Sequence, residues 1–74
     1  MTFRDARALG YSIFVERRYI CGEAGWWYDV VLRGRIVAQG WTVGFGPRAK
    51  SAAMSDALAA VSDREALAGL RKGA

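Results

Sequence analysis

Trp26-Trp27-Tyr28-Asp29-Val30-Val31-Leu32-Arg33-Gly34-Arg35-Ile36-Val37-Ala38-Gln39-Gly40-Trp41-Thr42-Val43 carries the main fold signal of the chain. Two runs rich in β-branched and aromatic residues flank a short Gly-centred break, the pattern of a β-hairpin. The first run, Trp26 to Leu32, sets Trp26, Tyr28, Val30 and Leu32 against Trp27, Asp29 and Val31. Successive side chains of a strand point to opposite faces, so Asp29 is expected in solvent beside Trp27. Arg33-Gly34-Arg35 supplies the turn, with Gly34 free to take positive φ. Ile36 to Val43 forms the returning strand, and Gly40 marks a bulge or thin spot in it.

Upstream, Tyr11 to Cys21 reads as a further strand. Tyr11, Ile13, Val15, Arg17 and Tyr19 share one face, and the first half of that face is the core candidate. Arg17-Arg18 marks where the strand leaves the core. Gly22-Glu23-Ala24-Gly25 is expected as the connecting loop. Thr2 to Leu9 is a candidate short helix, capped by Thr2 with Asp5 three residues on and ended by Gly10. Phe3, Ala6 and Leu9 lie along one side of it.

Downstream, Gly44-Phe45-Gly46-Pro47 breaks the sheet, and Pro47 suits the first turn of a helix. That helix is expected to run to about Val61, with Met54, Ala57, Leu58 and Val61 as its buried stripe. Ala49, Ala52, Ala53, Ala59 and Ala60 form a smooth flank. Ser62-Asp63-Arg64-Glu65 has the form of a capping box, which predicts a new short helix carrying Ala66, Leu67 and Leu70. Arg71 and Lys72 complement its C-terminal dipole, and Gly73 ends it. The expected fold is therefore α+β: one domain over residues 1–74, a three-stranded antiparallel sheet packed on one main helix. A short C-terminal helix and a short N-terminal helix complete it.

Composition narrows the function. The chain has 74 residues, of which 53% are hydrophobic, which excludes general disorder. Its lone cysteine, Cys21, allows no internal disulfide and suits a reducing, cytoplasmic setting, where such a residue is expected as a small buried hydrophobe. The N-terminal Met1-Thr2-Phe3-Arg4-Asp5 lacks the shape of a signal peptide, and no apolar run approaches the ~20 residues of a membrane span. There is no histidine, so the commonest general base and metal ligand are missing. None of Ser12, Ser51, Ser55 and Ser62 lies in a nucleophile-elbow pattern. Glu16 and Asp29 could meet across paired strands, where a charged pair on the wet face is the simpler reading. No catalytic residue, metal or cofactor is expected.

The net charge is +4, and nine of the eleven cations are Arg, the cation best suited to interfaces and phosphates. Trp26, Trp27, Trp41, Tyr11, Tyr19 and Tyr28 exceed what a thin core hides. Trp26 and Trp27 must point to opposite faces. Tyr19, Trp27 and the neighbouring arginines are then candidates for an exposed aromatic-cationic patch, with Phe45 projecting from its turn. Gly44-Phe45-Gly46-Pro47-Arg48 has the form of a Gly-rich turn feeding a helix N-terminus, a generic anion site, although a plain strand-to-helix connection is the simpler reading.

On residues 9–61 the layout resembles the double-stranded-RNA-binding domain. The counterparts are Tyr11 to Glu16, Trp26 to Leu32, Gly34, Gly44-Phe45-Gly46 and Ala52. Where that family carries a lysine cluster at the start of the last helix, this chain has only Arg48 and Lys50, and its first hairpin loop has no histidine. In size and character the chain also resembles small phage- or mobile-element-encoded inhibitors such as anti-CRISPR proteins. That likeness implies a protein-binding module that sterically blocks a host protein or ribonucleoprotein complex. The expected contact residues are Arg17, Arg18, Tyr19, Trp27, Arg33 and Arg35. The alternative is direct nucleic-acid binding through Arg33, Arg35, Arg48 and Lys50. A third reading is a subunit of a larger assembly, or a homodimer paired through the edge strand Tyr11 to Cys21.

Overall fold

Two tight turns organise the sheet. The structure, a computed structural model, describes residues 1–73, with side chains to residue 69. Arg33 and Gly34 both adopt left-handed backbone, with φ of 53° and 77°. So do Cys21 and Gly22, with φ of 53° and 80°. Such pairs build two-residue turns whose twist matches that of the flanking strands. The strands are β1 (Tyr11–Ile20), β2 (Glu23–Leu32) and β3 (Arg35–Val43), antiparallel in the order β1-β2-β3. The first hairpin is tighter than the expected four-residue loop: Glu23, Ala24 and Gly25 belong to β2, paired with Ile20, Tyr19 and Arg18. Cys21 is exposed at the turn rather than buried, because a two-residue turn points its side chains away from the sheet.

Beyond β3, Gly44 donates its N–H to Ala24 O at 2.9 Å, and α2 (Pro47–Gly73) begins two residues after Phe45. Its buried residues are Ala53, Ala57 and Val61, one every four positions, flanked by the half-buried Met54 and Leu58. Ala53 thus belongs to the stripe and not to the flank. Alanine at 53 and 57 lets the helix backbone lie close to the large rings of the sheet. From the sheet, Tyr11, Trp26, Tyr28 and Val30 are buried, and Ile13, Val15, Leu32, Val37 and Ala38 pack around this core. Val30 and Val61 are fully enclosed; burying each contributes about 1.5–3 kcal/mol. Burial also raises the Tyr28 phenol above its usual range, with a smaller push from the Asp56 charge.

The expected break at Ser62 is absent: α2 is one helix of 27 residues. A capping box starts a helix only where the preceding residues have left helical geometry, and no Gly or Pro interrupts the run from Arg48 to Ala68. Glu65 instead accepts the Tyr11 hydroxyl at 2.9 Å and ties α2 to the first residue of β1. At 1.5 Å per residue α2 spans roughly 40 Å, in keeping with a long molecular axis of 45 Å. The expected roles of Leu70, Arg71 and Lys72 concern side chains outside those described.

The short helix α1 (Phe3–Ala8) forms as expected. Asp5 N–H donates to Thr2 Oγ1 at 3.1 Å while Thr2 N–H donates to Asp5 Oδ2 at 3.0 Å. The Thr2 N–H, and after it the Thr2 hydroxyl, hold the Asp5 carboxyl below its usual range. Only Ala6 of its expected apolar side is buried; Phe3 and Leu9 remain exposed.

The bulge in β3 lies at Val37, between the pairs Val30–Ala38 and Val31–Ile36, and not at Gly40. Gly40 is instead a place of close approach. It stands opposite Tyr28, whose ring lies where a Cβ would be.

Candidate interaction surfaces

Both helices pack against one face of the sheet, and among the described residues nothing covers the other face. From β1 it presents Phe14, Glu16 and Arg18; from β2, Trp27, Asp29 and Val31; from β3, Ile36, Gln39, Trp41 and Val43. Phe14 is 59% exposed, Ile36 56% and Val43 59%. Trp27 and Trp41 stand opposite each other and are half-buried. Trp41 achieves this by laying its ring over Gly25, whose missing side chain leaves the space.

A polar strip pins Trp27. Trp27 Nε1 donates to Asp29 Oδ1 at 2.8 Å, and Gln39 Nε2 donates to the same oxygen at 2.9 Å. Those two donors hold the Asp29 carboxyl below its usual range, and the Arg18 charge adds to the effect. The Arg18 guanidinium lies 4.7 Å from the centre of the Trp27 ring and pairs with Glu16. Fixing the ring in this way lowers the entropy lost when a partner covers it. Glu16 stands opposite Trp27 and Asp29 opposite Phe14, so the two carboxylates do not form a facing pair.

On the helix-covered side, a second cluster occupies the end of the sheet near the start of α2. Trp26 is buried there, which resolves the Trp26-Trp27 alternation in favour of Trp27 as the outer ring. The Arg17 guanidinium sits 5.3 Å from the Trp26 ring centre and 5.6 Å from that of Phe45. Lys50 Nζ, from the first turns of α2, sits 5.3 Å from the Trp26 ring centre. Tyr19 meets Phe45 edge to face at 5.6 Å.

The expected contact set is thus divided. Arg18 and Trp27 share the open face. Arg17 and Tyr19 share the Trp26 corner, because neighbouring strand residues point to opposite sides. Arg33 and Arg35 lie by the β2–β3 turn, beside Tyr11, six to seven strand positions and roughly 20 Å from both. The nucleic-acid set divides likewise: Arg48 and Lys50 are at the α2 start, Arg33 and Arg35 at the opposite end. Phe14, Ile36 and Val43 are absent from the expected contact set. Alternation does place Phe14 with Glu16 and Arg18 on the face opposite the core candidate, but Ile36 reaches that face only because Val37 bulges.

Among the described residues, no three of Cys, Asp and Glu come close enough together to hold a metal ion, and no helix is long and apolar enough to cross a membrane. Compared with known proteins, the chain matches no family model, no curated protein and no solved structure.

Proposed function

We propose that this protein is a non-enzymatic binding module whose uncovered sheet face docks on a partner protein. The observation that supports this reading is the exposure of Phe14, Ile36 and Val43 on a face that already holds two Trp rings in fixed orientations. Trp and Arg are the residue types that dominate binding energy at protein interfaces. The partner that fits is an apolar patch rimmed by carboxylates. Arg18 lies on the face and Arg33 stands in the turn that ends it, and among the described residues Arg33 has no ion-pair partner. In its specific form the reading is a phage-type inhibitor that occupies the surface of a host nucleic-acid-handling complex and blocks it sterically.

The test compares capture of host proteins by three forms: the wild type, an Ile36→Glu/Val43→Glu variant, and a control with Ser55→Glu on the exposed side of α2. Circular dichroism confirms that each is folded. The reading requires one species held in stoichiometric amount by the wild type and the control and lost, at least tenfold, by the open-face variant. It fails if the open-face variant retains that species. It fails equally if the wild type proves to be a homodimer that occupies this face with a second copy.

A further inference from the structure

The Trp26 corner brings two cations onto one indole. Arg17 from β1 and Lys50 from α2 each lie 5.3 Å from the Trp26 ring centre, and among the described residues neither has a carboxylate partner. Attraction to the ring holds each cation at this corner, and together they leave a local excess of positive charge that an anion would offset. The surroundings favour negative charge. The first turn of α2 contains no acid. Gly46 accepts the N–H groups of Ala49 and Lys50 but has no side chain to cap that turn. Trp26 is more than nine-tenths buried, and among the described residues its Nε1–H has no acceptor.

Beside these charges two rings are open. Tyr19 is 71% exposed and Phe45 45%, and they brace each other edge to face. Phosphate-binding cations next to exposed ring faces form the arrangement that takes an unpaired nucleotide, with the phosphate on the cations and the base stacked on a ring. A duplex keeps its base faces inside its own stack and cannot use the rings. We therefore propose that the corner formed by Arg17, Lys50, Trp26, Tyr19 and Phe45 binds single-stranded nucleic acid. One backbone phosphate lies between Arg17 and Lys50, and an adjoining base stacks on Tyr19 or Phe45. This site is separate from the open sheet face and does not depend on it.

The experiment is fluorescence anisotropy of a labelled oligothymidylate, and of the corresponding duplex, titrated with the protein at low and physiological salt. The single strand is expected to bind more tightly than the duplex. Arg17→Gln/Lys50→Gln is expected to flatten the plot of log affinity against log salt by about 1.4, the contribution of two single-strand phosphate contacts. Tyr19→Ala or Phe45→Ala is expected to weaken binding by about 5- to 150-fold, the range for one stacked base. All four side chains are largely outside the core, so these variants should fold. Arg33→Gln/Arg35→Gln, at the far end, serves as the charge-matched control. The proposal is overturned if the duplex binds as tightly as the single strand, or if the control lowers the salt slope as much as the corner variant does. Absence of binding at low salt overturns it as well.

Discussion

Replacing Gly40 with alanine tests how closely β3 approaches the buried ring beneath α2. The new Cβ would stand 2.5 Å from Tyr28 Cζ and 2.6 Å from its hydroxyl oxygen, where ordinary contact begins at 3.4 Å. Tyr28 Cε2 would lie closer still, so the ring would have to retreat by more than about 0.9 Å into a packed interior. Tyr28 is only 9% exposed and lies under the Ala53–Ala57–Val61 stripe, so its retreat lifts the helix or forces an unfavourable rotamer. Overpacking of this kind costs about 1–3 kcal/mol. Removing a glycine from a strand returns about 0.5–1 kcal/mol of backbone entropy. The net loss is then about 1.5 kcal/mol, a substantial share of the roughly 4–11 kcal/mol available to a chain of this length. In urea, with a slope of about 1 kcal/mol/M, the unfolding midpoint should fall by roughly 1.5 M, followed by Trp fluorescence. Tyr28→Val removes the obstructing ring. In that background Gly40→Ala should cost nothing or stabilise slightly, giving a coupling energy of about 1.5–3 kcal/mol. An unchanged or raised midpoint for Gly40→Ala alone would refute the reasoning. So would an equal loss in the Tyr28→Val background, since the penalty would then arise elsewhere than at the ring.

Two further outcomes concern the ends of the fold and the open face. Tyr11→Phe removes the bond to Glu65 and should lower stability by about 1 kcal/mol, with a loss of helical circular dichroism as the last turns of α2 fray; a thermal melt identical to the wild type would show that this bond does not anchor the helix. Because the Asp29 carboxyl is depressed in the folded state, its contribution is present above the unfolded value near 3.8 and is lost as pH falls through the lower folded value. Asp29→Asn should therefore flatten the decline in stability below about pH 4, as measured by urea unfolding at a series of pH values, and an unchanged acid slope would contradict the bonding from Trp27 and Gln39.

Local chemistry in the sequence determined most of the scaffold. Alternation grouped Trp26, Tyr28 and Val30 on one face and Asp29 with Trp27 on the other, the Arg33-Gly34 turn set the second hairpin, and Thr2 with Asp5 capped α1. Each of these depends on residues close together in the chain, where steric and hydrogen-bonding preferences act directly. Other features depended on distant partners. Ser62 to Glu65 carries a helix-start signal, but continuous helical geometry before it and the Tyr11 hydroxyl across the fold took that signal over. The bulge at Val37 follows from fitting β3 to β2, and it alone turns Ile36 to the open face. Trp26 and Trp27 are the same residue type at adjacent positions. Only the side on which α2 docks made one of them core and the other surface, and that docking brought Lys50 over the same ring as Arg17. Spacing along the chain specifies which side chains share a face, but the choice of covered face is made by packing between elements that the chain brings together from far apart.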